Sequence, residues 1–197
     1  MLGLIIFEQK KYAFTVCVNK NILEKILVIS STNRPESNTI KVSRQYLKIL
    51  KSMDVESEIL DFRELPHDIS FSEMYGNRTE DYKKLIEKYI HSHNKIVFVA
   101  PEYNGSFPGI LKTFLDSLHP REWAGKKICL VGVSDGRAGN SRGMDHLVSI
   151  FHYLKTHVYF HNVPISKVNE VMNQEGIFIS EAQIDVCKRQ LKGFLEF

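Results

Sequence analysis

Cysteine is scarce in this chain: Cys17, Cys129 and Cys187 are odd in number and far apart. No C-x-x-C spacing occurs, so neither a disulfide framework nor a zinc site is expected. A reducing cytoplasm is the compartment this usage points to. No apolar run approaches the roughly 20 residues needed to cross a bilayer. Met1 to Phe7 is apolar but has no basic n-region and no small-residue cleavage site, which makes it a poor signal peptide. The net charge is only +3, with lysines and arginines scattered, so no nucleic-acid footprint is read. A G-x-G-x-x-G fingerprint is missing, because Gly132, Gly136 and Gly139 have the wrong spacing, and so is a Walker G-x-x-x-x-G-K-[ST]. Internal repeats, linkers and low-complexity segments are missing too.

What is present is an alternation of short apolar runs and amphipathic stretches. At 197 residues, 43% hydrophobic and 25% charged, the chain suits one ordinary domain that needs neither disulfide nor metal. Residues 1–23 stand apart. Tyr12, Phe14, Val16 and Val18 alternate, so an accessory hairpin with Leu2 to Phe7 and a poorly packed terminal extension are equal readings. Residues 24–197 read as the single domain.

Ile26 to Ile29 predicts a buried strand, and a helix follows from about Asn38 to Ser52 with Ile40, Leu47 and Leu50 on one face. Val55 to Phe62 reads as an edge strand, interrupted by Glu56, Glu58 and Asp61. Arg63 to Arg78 is an irregular connection whose aromatics, Phe71 and Tyr75, are expected to pack on the domain rather than cover a ligand. A helix carrying Tyr82, Leu85, Ile86, Tyr89 and Ile90 comes next, with Asn77 and Glu80 as its capping pattern. The run Lys95 to Ala100 predicts a strand buried on both faces. Beyond the turn Pro101 to Pro108, a helix carries Ile110, Leu111, Phe114, Leu115 and Leu118, with Pro108 and Gly109 at its start. Ile128 to Val133 is another buried strand, followed by the turn Ser134 to Gly143 and a helix with Met144, Leu147, Val148, Phe151 and Leu154. His157 to Val163 predicts the last strand, and a capping box over Ser180 to Gln183 opens the closing helix. Repeated β-α units argue for a parallel sheet with helices on both faces. Five core strands favour the flavodoxin-like order 2-1-3-4-5 over the six-stranded Rossmann order.

That order brings the turns after strands one, three and four to one carboxyl edge, where open α/β sheets bind ligands. The first suits a terminal monophosphate: Thr32, Ser37 and Thr39 offer hydroxyls, Asn38 an amide, Arg34 a charge, and the helix its positive end. An ordinary capped polar loop is the even alternative. In the central turn, Tyr103 supplies an aromatic wall and Gly105 lets a planar ring come close to backbone groups of Glu102 to Gly105. The plainer reading is that Asn-Gly and two prolines simply make a turn. Ser134 to Gly139 could close over the ring's other end.

Here the residues resemble a family. Ile29 to Thr39, reading ISSTNRPESNT, is similar to the flavin-phosphate loop of the NAD(P)H-dependent FMN reductases, which include bacterial quinone, chromate and azo-dye reductases. Pro101 to Lys112, reading PEYNGSFPGILK, resembles that family's flavin-ring signature, with Asp116 in its usual place. The similarity runs from about Ile26 to the C-terminus. It implies non-covalent FMN, with Thr32, Arg34, Ser37, Asn38 and Thr39 holding the phosphate. Pro101, Glu102, Tyr103, Asn104 and Gly105 would contact the isoalloxazine, and Ser134, Asp135 and Gly136 would line its remaining side. The resemblance further implies a homodimer or homotetramer. One departure is that the family usually has Gly-Ser where this chain has Ser31-Thr32, and serine lacks glycine's access to positive φ.

The expected activity is hydride transfer from NADPH or NADH to FMN, then to a small acceptor such as a quinone, free flavin, azo compound or metal oxyanion, with ping-pong kinetics. No catalytic side chain is required, because the cofactor carries the chemistry. Two other classes compete. A flavodoxin-like electron carrier is usually strongly acidic, unlike this chain. A serine hydrolase would use Ser141 in Gly139-Asn140-Ser141-Arg142-Gly143, but Ser141 stands well past its strand. The eight histidines suggest metal only weakly, and Asp116 reads as a structural cap or ion-pair partner. Arg137 and Arg142 are either contacts for a donor's 2′-phosphate or simply solvated.

Overall fold

The structure is a computed structural model, and it describes residues 25–197. The hairpin or extension expected of residues 1–23 lies outside them. Strands β1 (Ile26–Ser30), β2 (Ser57–Asp61), β3 (Lys95–Pro101), β4 (Lys127–Val133), β5 (His157–Val158) and β6 (Val163–Ile165) form one sheet. Its order is β2-β1-β3-β4-β5, with β6 also on β4, and every pairing is parallel. The α-helices are α1 (Asn38–Ser52), α2 (Ile69–Ser72), α3 (Glu80–Ile86), α4 (Gly109–Asp116), α5 (Pro120–Trp123), α6 (Ser141–Tyr153), α7 (Val168–Val171) and α8 (Glu181–Glu196).

The uninterrupted apolar runs have a simple cause. Alternate residues of each central strand face opposite sides, and both sides are covered. Leu27, Ile29, Phe98 and Leu130 point into one core with Phe114, Trp123 and Phe151 from α4, α5 and α6. Val28, Val97, Val99 and Val131 point into the other, against Val42 and Tyr46 of α1 and Leu191 and Phe194 of α8. β2 lies at the sheet edge as its charges predict, and its first three residues are only half-buried.

Five local expectations need correction. The expected strand His157 to Val163 is two short pieces. Three steps along β4, from Ile128 to Val131, face five steps from Val158 to Val163, so extra residues bulge out of the ladder. The buried Gln190 fills the gap, donating from Nε2 to Leu130 O at 2.9 Å and to His161 O at 2.7 Å. α3 is capped by Thr79, not Asn77: its hydroxyl accepts from Tyr82 N at 3.3 Å, while Glu73 binds its N–H at 2.8 Å. Phe71 and Tyr75 do not pack on the domain but stand 84% and 93% exposed. Pro108 occupies the N-cap of α4, one place before its first turn, in extended backbone. Only half of the capping box at α8 forms. Ser180 Oγ accepts from Gln183 N, but the Gln183 amide turns to Cys187 Sγ at 3.5 Å.

Candidate functional site

The first turn leaves β1 through Ser31, whose N–H and hydroxyl both donate to Val99 O, at 3.1 and 2.8 Å. Ser31 therefore extends the β1–β3 ladder, and the left-handed residue of this turn is Glu36 (φ 49°). The serine in the family's glycine position is thus accommodated without positive φ. Ser37 caps α1, its Oγ accepting from Ile40 N at 3.2 Å, so its own O–H stays available to donate. The next N–H groups, at Asn38 and Thr39, are helix-start donors without intrahelical partners. Arg34 is exposed beside them and has no ion pair among the described residues.

The central turn is built by its Asn-Gly pair. Tyr103 N donates to Ser106 O at 2.8 Å and Ser106 N to Tyr103 O at 3.0 Å, around Asn104 (φ 51°) and Gly105 (φ 74°). Two successive left-handed residues define a type I′ turn, for which Asn-Gly is the preferred pair. Glu102 N donates to Val133 O at 2.9 Å, so its backbone ties this turn to β4. Tyr103 reaches back across the edge, its hydroxyl 2.9 Å from Thr32 Oγ1, and so joins the central turn to the first.

The third turn is clasped at several points. Ser134 N donates to Ile165 O at 3.0 Å, and Ser134 Oγ accepts from Gly139 N at 3.0 Å. Asp135 Oδ1 accepts from Asn169 Nδ2 at 2.8 Å and from Asn38 Nδ2 at 3.5 Å, linking this turn to the start of α1. Asn140, buried and left-handed (φ 61°), donates from Nδ2 to Ala100 O and Pro101 O, both at 3.0 Å. Glycine is needed at 132 for a close approach: a Cβ there would stand 2.0 Å from Gly139 O.

Together the turns enclose a cleft of about 630 Å³. All thirteen residues singled out from the sequence line it: Thr32, Arg34, Ser37, Asn38 and Thr39 at one end, Pro101 to Gly105 along one wall, and Ser134, Asp135 and Gly136 along the other. Pro35, Glu36, Val133 and Val168 line it as well. The first two share an already suspect turn, whereas Val168 lies on α7 and carries no motif. Asn140 and Asn169 act from behind the lining, and nothing in their sequence context marks them.

The rival chemistry does not assemble. Ser141 Oγ donates to Ala138 O at 2.6 Å, and the ring of His146 pairs instead with Ser106 Oγ at 2.9 Å. His157 lies on β5 and His161 in the bulge beyond it. Among the described residues no group of three or more His, Cys, Asp or Glu is placed to hold a metal ion, and no helix is long and apolar enough to cross a membrane. Asp116 is an ion-pair partner, 2.6 Å from Lys112 Nζ.

The cleft's volume is that of a small-molecule site. Its donor set is graded, with a guanidinium, hydroxyls and helix-start N–H groups at one end and backbone groups beside an aromatic ring at the other. Those residues fit a phosphate joined to a planar heterocycle. On a parallel sheet of this order, they define a flavodoxin-like α/β protein with a mononucleotide-shaped cleft at the switch point.

Comparison with known proteins agrees. The family model for NADPH-dependent FMN reductase matches residues 24–170. A 2-hydroxy-1,4-benzoquinone reductase from Burkholderia sp is 29% identical over 136 residues, covering 67% of this chain and 72% of its own. An FMN-dependent NADPH-azoreductase from Staphylococcus aureus is 32% identical over 127 residues, covering 62% and 66%. Among solved structures, the flavoenzyme NAD(P)H:(acceptor) oxidoreductase FerB of Paracoccus denitrificans has a TM-score of 0.71 at 20% identity, covering 88% of this chain and 96% of its own. An archaeal flavodoxin has 0.54 at 13%, covering 88% and 96%. These two establish the fold. The chain belongs to the NADPH-dependent FMN reductase family. It is accordingly an NAD(P)H-dependent flavin oxidoreductase with FMN as its cofactor.

Proposed function

We propose that this protein passes reducing equivalents from NAD(P)H through FMN in the three-turn cleft to a small acceptor, by a ping-pong sequence. The observation that carries this reading is the convergence of all thirteen residues, from three separate turns, on one cleft. In it, Arg34, Thr32 and the Ser37–Thr39 start of α1 bind the phosphate, with the α1 dipole adding to the guanidinium charge. The type I′ turn presents the backbone of Glu102 to Gly105 to the polar edge of the ring, and Ser134 to Gly136 shield its other side. When bound, FMN supplies hydride acceptance and donation at N5. The chain's own work is to bind, orient and leave one ring face open to donor and acceptor in turn.

Relatives named for benzoquinone and azo substrates support quinones and azo compounds as acceptors, with free flavin and metal oxyanions as further members of the set. An apolar groove between α4 and α6, lined by Leu115, Leu118, Ile150 and the exposed Tyr153, supports a homodimer or homotetramer. The cytoplasm is the proposed compartment. The carrier alternative is disfavoured by the net charge of +3.

An absorption spectrum before and after NADPH tests the reading: a yellow protein that bleaches rapidly is expected. An apoprotein that takes up no added FMN overturns it. Arg34→Ala and Ser37→Ala are expected to weaken FMN by about 10- to 100-fold, the worth of a charge-assisted hydrogen bond, and riboflavin far less. Equal loss of both ligands means the phosphate is held elsewhere.

A further inference from the structure

The sequence offered Arg137 and Arg142 as contacts for the donor's 2′-phosphate, and the outer flank of the central turn carries the second of them. The start of α6 leans on that turn. A Cβ on Gly143 would stand 2.8 Å from the Ser106 carbonyl carbon, so only glycine allows the approach. Two side chains ride on the contact. Arg142 Nη1 lies 2.7 Å from where Gly105 would carry a Cβ, which lays the guanidinium against the ring end of the cleft. One helical turn on, His146 Nδ1 lies 2.9 Å from Ser106 Oγ.

Arg142 is exposed and makes no ion pair or hydrogen bond among the described residues. It contrasts with Arg63 and Arg78, which are paired with Asp61 and Glu122. Asp145, three residues on along the same helix, is exposed and is not bonded to it. Two other guanidiniums near the cleft are unpaired among the described residues: Arg34, which stands at the phosphate end and is accounted for by the cofactor, and Arg137, exposed on the third turn. A donor must bring its nicotinamide to the ring end, and the charged groups on the rest of that molecule are all anionic. These are a diphosphate in both NADH and NADPH, and a 2′-phosphate in NADPH alone. A planar guanidinium fork fits phosphate oxygens two at a time.

We propose that Arg142, with His146 beside it, forms the anion subsite that receives the phosphates of the nicotinamide donor. The proposal rests on the reductase reading above. The test compares wild type, Arg142→Ala and Arg142→Lys, all loaded with FMN, for KM toward NADPH and NADH. Calorimetric titration with adenosine 2′,5′-bisphosphate and with ADP provides a readout independent of turnover. Arg142→Ala is expected to raise the donor KM by about 10- to 100-fold and to weaken the matching fragment in step, with Arg142→Lys intermediate. An effect confined to NADPH and the bisphosphate assigns the subsite to the 2′-phosphate. An effect shared by NADH and ADP assigns it to the diphosphate. Arg189→Ala, exposed on α8, is the charge control and is expected to change neither KM. A folded Arg142→Ala protein with wild-type KM for both donors overturns the proposal, including one in which only the oligomeric state changes. Wild-type protein that bleaches with neither donor overturns the reductase reading, and this inference with it.

Discussion

Asn140 is the residue whose loss most directly tests how the site is held together. It sits in left-handed backbone at the start of α6, and its buried amide donates two 3.0 Å hydrogen bonds to the last carbonyls of β3. Those bonds fasten the third turn to the central one. Asn140→Gly keeps the backbone freedom and removes both bonds. At about 1–2 kcal/mol per buried acceptor left without its partner, the cost is about 2–4 kcal/mol. Asn140→Ala adds the penalty of a β-carbon in left-handed backbone, about 1 kcal/mol more. For a chain of this size each kcal/mol lowers Tm by about 2–4 °C. Asn140→Gly is therefore expected to melt about 5–15 °C below wild type, and Asn140→Ala a few degrees lower still. Differential scanning calorimetry, with and without FMN, reads both, and both variants are expected to retain less flavin. A Tm within about 2 °C of wild type for Asn140→Gly refutes the reasoning. It would mean that the Ser134 clasp alone holds the turn. Equal melting of the two variants would refute the backbone component.

Three further outcomes follow from the same geometry. Gly132→Ala, whose Cβ would stand 2.0 Å from the Gly139 carbonyl, is expected to lose about 1–3 kcal/mol or more in urea unfolding and to lower flavin content, because backbone must shift. Wild-type stability would show that the turn yields freely. Gln190→Leu keeps the volume but leaves Leu130 O, His161 O and the Tyr46 hydroxyl without their partner, for about 2–4 kcal/mol by denaturant titration. A neutral result would mean that water fills the gap in the sheet. Burial pushes the Glu122 carboxyl up, but hydrogen bonds from Arg78, the His119 N–H and His91 outweigh it and bring it down to about 2. A depressed carboxylate stabilises the fold above its ordinary value near 4.5, and that stability is lost as pH falls from there toward 2. Glu122→Gln is expected to flatten the acid limb of the urea midpoint against pH, and an unchanged limb counts against the network. His91 runs the other way. Its bond to Glu87, then that to Glu122, raises it above 6.5, so its contribution is present below that value and fades as pH rises through the raised one.

Much of the site could be read from the chain because its parts are local. Strands β1, β3 and β4 are buried on both faces, which writes them as unbroken apolar runs. Asn104-Gly105 specifies a type I′ turn through its own φ preferences, and Ser37 caps α1 through a hydroxyl three residues from the N–H it binds. Alternation of strand and helix then leaves little choice but a parallel sheet, and the ligand edge follows. Where the reading failed, the deciding partner was remote or ambiguous. Asn77 and Thr79 are both plausible caps for α3, and Glu73 selects Thr79 by gripping its N–H and hydroxyl. The apolar residues near 157–163 look like one strand, but the break there is filled by Gln190 from α8. Phe71 and Tyr75 promised packing on composition alone, and the backbone faces them to solvent.

The amino-acid sequence by itself determined the sheet, its order and the three turns that carry the candidate cofactor residues, because periodicity, capping and turn preference act over a few residues. Only the tertiary structure decided that Tyr103 spans to Thr32, that Asn140 fastens one turn to another, and that Arg142 lies against Gly105. Those contacts join segments tens of residues apart, and their energies exist only once the sheet has brought its carboxyl ends together.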